Sequence, residues 1–416
     1  MQSALKILHT ADWHLGHQLH GYSRYHEHQV FLDWLSEQIE TYDVDILCVS
    51  GDLFDTANPS ATSWQQLYQF LAYITHRCPG LQVIMVAGNH DSPSKISAPG
   101  ELLAHFDLHL VGQVHKSENG QPELNRLLIP MKNRQGELQG WALAVPFLRA
   151  SDLVLDSQIG DGQQRWQQAI TTLYQQLGEL AESVRQPGQM LMAIGHGHIR
   201  GGQVSELSER QILMGGEHAL PANIFPASCD YVALGHLHLG QKISAPIPIH
   251  YSGSPLPLSL SERRYHHHVQ LVTWQHQQVS IHPLNVPRHC QMLQIPSEPK
   301  PLPEVLTELA QLPVYQGALD GAPYLEVQVR LETPVAHLRE QVMQAISDKG
   351  MRLTRIRSVY PDSNSQGYSH YNGRDLDELT PVQVFELCYQ KQYQQMPGDE
   401  LMQAFAQVVR EVEEQQ

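Results

Sequence analysis

The chain is short of cysteine, of positive charge and of long apolar runs, and each shortage removes a class of protein. Its five cysteines in 416 residues (Cys48, Cys78, Cys229, Cys290 and Cys388) are scattered, odd in number and never spaced C-x-x-C. That argues against a disulfide framework or a cysteine metal site, and predicts buried thiols in a reducing compartment. No apolar stretch approaches the roughly 20 residues needed to span a bilayer. The N-terminus enters a first expected strand, Leu5 to Leu8, at once, so the expected location is the cytoplasm, with no membrane partner. Lys and Arg number 27 against 43 Asp and Glu, a formal net charge of -16. Such a chain does not hold nucleic acid by bulk electrostatics. A G-x-x-x-x-G-K-[ST] loop is also missing, so any ATP must be handled by another chain. What remains, with 41% hydrophobic and 17% charged residues, is a globular chain of two or three domains with sizeable cores.

What the chain does have is five short segments rich in metal-binding residue types. They are Asp12-Trp13-His14, Gly51-Asp52, Gly88-Asn89-His90-Asp91, Gly195-His196 and Gly235-His236-Leu237-His238. Four of them follow an apolar run: Ile46 to Val49, Val83 to Val86, Met190 to Ile194 and Tyr231 to Leu234. Runs of that length closed by Gly and a polar residue read as buried strands whose C-terminal ends open onto a crevice. Singly, a D-x-H or a G-H pair is a turn more often than a metal site; five in order on strand ends reverse that. The mixed nitrogen and oxygen donors exceed what one ion needs and suit a pair such as manganese, iron or zinc. Two ions roughly 3.5 to 4 Å apart can activate a water and stabilise both oxygens of an in-line displacement at phosphorus. Asp52 is the best placed bridging carboxylate, and Asn89 offers a neutral oxygen. His90 is free to act on the leaving oxygen, with Asp91 as the group that would orient it.

The first 285 residues alternate strands with helices, the pattern of a layered α/β domain. Ser60 is expected to cap a helix with the stripe Trp64, Leu67, Tyr68, Leu71 and Ile74, and an earlier helix carries Phe31, Trp34, Leu35 and Ile39. Prolines 296, 299, 301 and 303 mark a boundary, and a smaller unit occupies 286–360. In it Leu325, Val327, Val329 and Leu331 alternate with polar residues as a half-exposed strand. A helix from Thr333 and Pro334 and a strand from Met351 to Val359 complete a βαβ unit. Residues 361–374 have linker composition. Residues 375–416 hold two amphipathic helices, one capped by Thr380, the other with Leu401, Phe405, Val408, Val409 and Val412 on one face. Such a pair is expected to dock on a partner or on the chain's own body.

The order D-x-H, G-D, G-N-H-D, G-H, G-H-x-H resembles that of the calcineurin-like metallophosphoesterases. The surrounding text, His9 to Gly16, Gly51 to Thr56 and Tyr251-Ser252-Gly253-Ser254-Pro255, is similar to the SbcD-type bacterial nuclease subunits over nearly the whole chain. The resemblance implies a β-sandwich flanked by helices, a capping domain that contacts DNA, and C-terminal helices that bind a coiled-coil ATPase of SbcC type. It implies one manganese held by Asp12, His14, Asp52 and His238, a second held by Asp52, Asn89, His196 and His236, and His90 acting on the phosphodiester. Magnesium or another divalent ion could serve in place of manganese. It further implies exonucleolytic work on double-stranded DNA ends and endonucleolytic opening of hairpins or single strands, coupled to ATP. A homodimer within a heterotetramer, association with the nucleoid, and roles in DNA repair, replication and recombination belong to the same expectation.

Two other functions fit parts of the pattern. A phosphoesterase for phosphoproteins or small nucleotides would share the metal centre, but Leu53-Phe54-Asp55-Thr56 lacks the arginine expected of a protein phosphatase after Asp52. A noncatalytic DNA-end tether would not need so many ligands or an open face. His198 is expected on a surface loop rather than as a competing ligand for the second ion, His266-His267-His268 on a solvated turn, and His17, His20, Tyr22 and Arg24 either against DNA or on a polar surface loop. Basic residues (Arg149, Arg200, Arg263, Arg264, Arg352, Arg355, Arg357) look dispersed.

Overall fold

A computed structural model of the chain describes residues 4–155, 158, 160–204, 219–333, 335–360, 381–393, 396–398, 401, 402 and 405. Two compact units emerge, one of Met1–Met292 with Gly317–Pro323, the other of Leu293–Gln316 with Tyr324–Gln416.

The first unit starts with β1 (Leu5–Thr10), a short hairpin of β2 (Gln18–Leu19) and β3 (Tyr22–Ser23), and α1 (Tyr25–Thr41). Next come β4 (Ile46–Ser50), α2 (Ala61–Arg77), β5 (Gln82–Val86), two single-turn helices α3 (Pro93–Ser97) and α4 (Gly100–Ala104), and β6 (Leu108–Val111). The second half holds β7 (Leu128–Lys132), β8 (Leu138–Ala144), α5 (Gly162–Val184), β9 (Met190–His196) and β10 (Tyr231–Gly235). It ends with β11 (Gln241–Ile243), β12 (Ile249–Tyr251), β13 (His268–Gln275) and β14 (Gln278–Asn285). Two six-stranded sheets result, ordered β14-β13-β1-β4-β5-β6 and β11-β12-β10-β9-β8-β7.

Strand periodicity explains the layers. Leu5 and Ile7 of β1 join Ile46, Ile84, Met192 and Tyr231 in a core between the sheets. Leu8, on the opposite side of the pleat, packs with Phe31 and Leu35 of α1 and Leu67 and Leu71 of α2. The second sheet is covered by Ile170, Leu173 and Leu177 of α5. This is a β-sandwich flanked by helices. Ser60 caps α2 by accepting the Ser63 N–H at 3.1 Å. Tyr68, placed on the stripe by spacing, instead faces out and stacks on half-buried Trp64. Among the described residues no helix is long and apolar enough to cross a membrane.

The second unit has β15 (Met292–Pro301), α6 (Leu302–Ala310), β16 (Tyr324–Arg330), α7 (Leu338–Ala345), β17 (Arg352–Val359) and α8 (Pro381–Tyr393). The sheet order is β15-β16-β17, with β16 and β17 parallel, and Val305, Leu309 and Val342 cover one face. Three features depart from the sequence reading. The prolines read as a boundary lie in or just after β15, an edge strand that can omit ladder N–H groups. The face of β16 expected to be exposed is buried at Glu326 and Gln328, though not at Arg330: Glu326 accepts from Gln294 of β15 at 2.8 Å. The helix expected from Thr333 begins at Leu338, after His337 with φ of 57°; Pro334 lies outside the described residues. So do the linker 361–374, Thr380, and Val408, Val409 and Val412, while Phe385 and Phe405 stack at 4.2 Å between ring centroids.

Candidate metal centre

All five motifs sit at C-terminal ends of parallel strands. β1, β4 and β5 are parallel neighbours in one sheet, and β9 pairs with β10 in the other, Gly235 opposite His196. Crevices at such ends are where open parallel sheets place ligands. The turns are locally strained: Asp12 (φ 53°), His14 (φ 49°), Asp52 (φ 49°) and His236 (φ 107°) all have left-handed backbone. Buried Trp13 anchors the first turn between Phe31 and Phe70, so Asp12 and His14 on either side point elsewhere. Glycines permit the close approach. A Cβ on Gly51 would stand 2.1 Å from His196 Nδ1, and one on Gly88 would stand 2.1 Å from Asp52 Oδ1.

The chosen side chains converge. Asp52 Oδ2 lies 3.5 Å from His14 Nε2 and 3.4 Å from His196 Nε2, between the two expected ligand sets. Asn89 Oδ1 lies 3.0 Å from His196 Nε2 and 3.2 Å from His236 Nδ1. Asp12, His14 and His238 bring ligand atoms within 4.8 Å of one another, as do Asp12, Asp52 and His196. Asp12, His14, Asp52, His196, His236 and His238 are all buried.

Their hydrogen bonds show what the cluster lacks. His14 Nδ1 faces Asp55 Oδ1 at 3.2 Å, and its buried Nε2 has no hydrogen-bond partner among the described residues. His196 Nδ1 donates to the Ser50 carbonyl at 2.8 Å, and its Nε2 faces the Asn89 oxygen, also an acceptor. That ring is satisfied only with a cation at Nε2, a proton or a metal ion. With side chains alone it is the proton: burial opposes charge on His196, but Asp52 beside it pushes its pKa up to about 9. Burial raises the Asp52 carboxyl, yet the His196, His14 and His90 imidazoles hold it well below the usual carboxylate range. Burial pushes Asp12 up to about 7, against His196 and His238. Buried histidines beside two carboxylates, with the His14 and His196 Nε2 atoms lacking hydrogen-bond donors, fit divalent ions, whose binding would release the His196 proton.

A family model described as calcineurin-like phosphoesterase matches residues 5–240, the stretch that carries all five turns. The chain belongs to the calcineurin-like phosphoesterases. A second model, described as type 5 capsule protein repressor C-terminal domain, or SbcD_C, matches residues 289–393. A curated relative from Rhodobacter capsulatus, the SbcD subunit of the nuclease SbcCD, is 34% identical over 92% of this chain and 94% of its own length. Its namesakes from Escherichia coli K12 (35% identical, 68% of each chain) and Bacillus subtilis (34% identical, 65% of this chain and 68% of that one) are also similar. Within the calcineurin-like phosphoesterases this chain is therefore of the SbcD family.

Several residues of this phosphoesterase centre carry roles the sequence did not disclose. Asp91 does not face His90. Its carboxylate accepts the N–H groups of Leu53 (3.0 Å), Phe54 (2.9 Å) and Gly88 (2.9 Å), which staples the turn after β4 to the turn after β5. His90 is oriented instead by the Asp55 carbonyl, 2.8 Å from Nδ1, and by its own N–H on Asp52 Oδ1 at 2.9 Å. Glu262 was not anticipated: its Oε1 accepts from His238 Nδ1 at 2.9 Å and its Oε2 from Leu258 N–H at 2.7 Å. The only sequence signal was its place shortly after the Tyr251–Pro255 motif. Arg149 reaches the carbonyls of Asn89 (3.4 Å) and Asp91 (3.3 Å). His198 lines an apolar cavity with Phe147 and Trp166, and its Nδ1 is buried. His267, expected in solvent, is buried with Nδ1 on the Ser254 carbonyl at 2.7 Å, and Cys388, expected buried, is exposed.

Proposed function

We propose that this metal-dependent nuclease hydrolyses DNA phosphodiester bonds at a two-manganese centre, as the nuclease subunit of a complex with an SbcC-type coiled-coil ATPase. The observation that carries the reading is the position of Asp52 Oδ2, 3.5 Å from His14 and 3.4 Å from His196. Asp12, His14, Asp52 and His238 would hold one ion, and Asp52, Asn89, His196 and His236 the other. Bound there, two ions supply a water acidic enough to be hydroxide near neutral pH and positive charge for the oxygens of an in-line displacement.

The chain's own residues do the rest. Glu262 and Asp55 hold His238 and His14 by Nδ1, so their Nε2 atoms turn to the cluster. His90, with Nδ1 committed to the Asp55 carbonyl, keeps Nε2 for substrate. From that atom it would give a proton to the leaving oxygen, or a hydrogen bond to the scissile phosphate. The relatives' names support the partner, and residues 375–416 are the proposed docking helices for it. Exonucleolytic action on duplex ends, endonucleolytic action on hairpins or single strands, coupling to ATP, a homodimer within a heterotetramer, and a cytoplasmic, nucleoid-associated place in repair, replication and recombination complete the proposal.

The test is co-purification from native extract, then assays on linear and hairpin DNA with Mn²⁺. The parent chain is expected to bring down a large ATPase and cut both substrates. Removing 375–416 is expected to lose the ATPase while keeping metal-dependent phosphodiesterase chemistry. Intact DNA in the presence of Mn²⁺ and the partner would end the nuclease reading.

A further inference from the structure

Basic side chains far apart in the sequence gather in the first unit beside the candidate metal cluster. Three segments meet there: the start of α1 with Arg24 and His26, the turn Leu260–Arg264, and the pair Arg288 and His289. Arg288 donates from Nη1 to the Arg263 carbonyl at 2.5 Å and from Nη2 to the Tyr265 carbonyl at 3.2 Å. The His26 and His289 rings stand 4.9 Å apart. Arg24 is buried and answered by Glu27 at 2.8 and 2.9 Å. Arg264 and Arg288 are exposed, and neither meets a carboxylate among the described residues. Burial and the neighbouring Arg24 push Arg288 down, as expected of two cations held close without a shared anion.

The turn is also fixed to the reacting centre. Glu262, one residue before Arg263, is the group that accepts from His238 Nδ1. The arginines therefore stand at a set offset from a candidate ligand. We propose that Arg264 and Arg288 form a landing surface for the sugar–phosphate backbone of a nucleic-acid strand flanking the scissile linkage. This rests on the nuclease reading above and adds where the strand runs. A chain of net charge -16 repels a polyanion at long range, so its grip must be local. Guanidinium forks match phosphate oxygens and position a strand without reading its sequence. Bracing by two carbonyls orders Arg288 before any strand arrives.

The test uses the full chain with Mn²⁺ and two substrates, a labelled linear duplex and bis(p-nitrophenyl) phosphate, which has no flanking phosphate. In Arg264→Gln the ratio of duplex cleavage to bis(p-nitrophenyl) phosphate hydrolysis is expected to fall about tenfold, through KM. The slope of log Kd against log salt for duplex binding should fall by about one, and Arg264→Lys should restore both. A ratio and slope equal to the parent's overturn the proposal. Equal loss on both substrates also overturns it, because the turn would then serve only to support His238. Normal duplex cleavage with loss of the ATPase partner overturns it too and gives the surface to a protein. A parent chain that hydrolyses bis(p-nitrophenyl) phosphate but leaves duplex and hairpin intact defeats the nuclease reading instead.

Discussion

His90 and Glu262 are both tied to the cluster by hydrogen bonds, yet their loss should fail in different ways. His90→Ala removes the group proposed to face substrate, so Mn²⁺-dependent cleavage should fall about 10²–10⁴-fold in kcat. Metal stoichiometry by calorimetry should stay near the parent's, and a variant that cuts normally removes His90 from the chemistry. Glu262→Gln is isosteric, but its single amide oxygen cannot accept from both His238 Nδ1 and the Leu258 N–H, and the charge behind His238 is gone, so the bond that sets its tautomer is weakened. Metal affinity should weaken about 10–100-fold, with activity recovered at high Mn²⁺. An unchanged affinity would show that His238 needs no such support. The contrast marks what was legible. Asp12, His14, Asp52, Asn89, His196, His236 and His238 could be chosen because a ligand must be a particular residue type at a strand end. Glu262 and the true partners of Asp91 could not, because a hydrogen bond between distant turns leaves no spacing to read.

The turns after β4 and β5 act as one element. Asp91 takes three backbone N–H groups from both, and Gly88 lets the Asp52 backbone and carboxylate pass within 2.1 to 2.3 Å of where a Cβ would stand. Gly88→Ala therefore cannot be absorbed by a side-chain rotation, since the Asp52 amide nitrogen is one of the colliding atoms. Overpacking of this kind costs about 1–3 kcal/mol. The expected result is a lower urea midpoint together with weaker binding of the second proposed ion, read by calorimetry; a parent-like titration would show that the turns move independently. At this scale the strands were easier to read than their surroundings. Buried parallel strands announce themselves as Val- and Ile-rich runs, and β4, β5, β9 and β10 were visible for that reason. In the second unit the alternation of β16 misled, because it reports polarity and cannot show that Gln294 stands ready to bury Glu326. The prolines misled likewise, since only sheet order reveals that β15 is an edge.

Across the whole molecule, the two sheets are joined through polar as well as apolar contacts. His9 of β1 bonds through Nδ1 to the Tyr231 hydroxyl of β10 at 2.9 Å, in the core between the sheets, and is fully buried. Burial, with His250 adding to it, lowers its pKa to about 3. His28 of α1 is equally buried, and burial together with Arg24 lowers it to about 3 as well. Both are neutral when folded but take up protons near pH 6.5 when unfolded, so the unfolded chain binds more protons between those values. Stability is then present in full above about pH 6.5 and falls as pH drops from there towards about 3. At pH 5 each histidine removes on the order of 2 kcal/mol, a large share of the roughly 5–15 kcal/mol typical of a folded protein. Urea midpoints for the metal-free chain should therefore fall steeply between pH 7 and pH 5. His9→Gln should lower the midpoint at pH 7 yet flatten that fall, because it removes one of the titrating groups along with its bond to Tyr231. An equal pH slope in parent and variant would mean that the sheets meet without a proton-sensitive contact at His9.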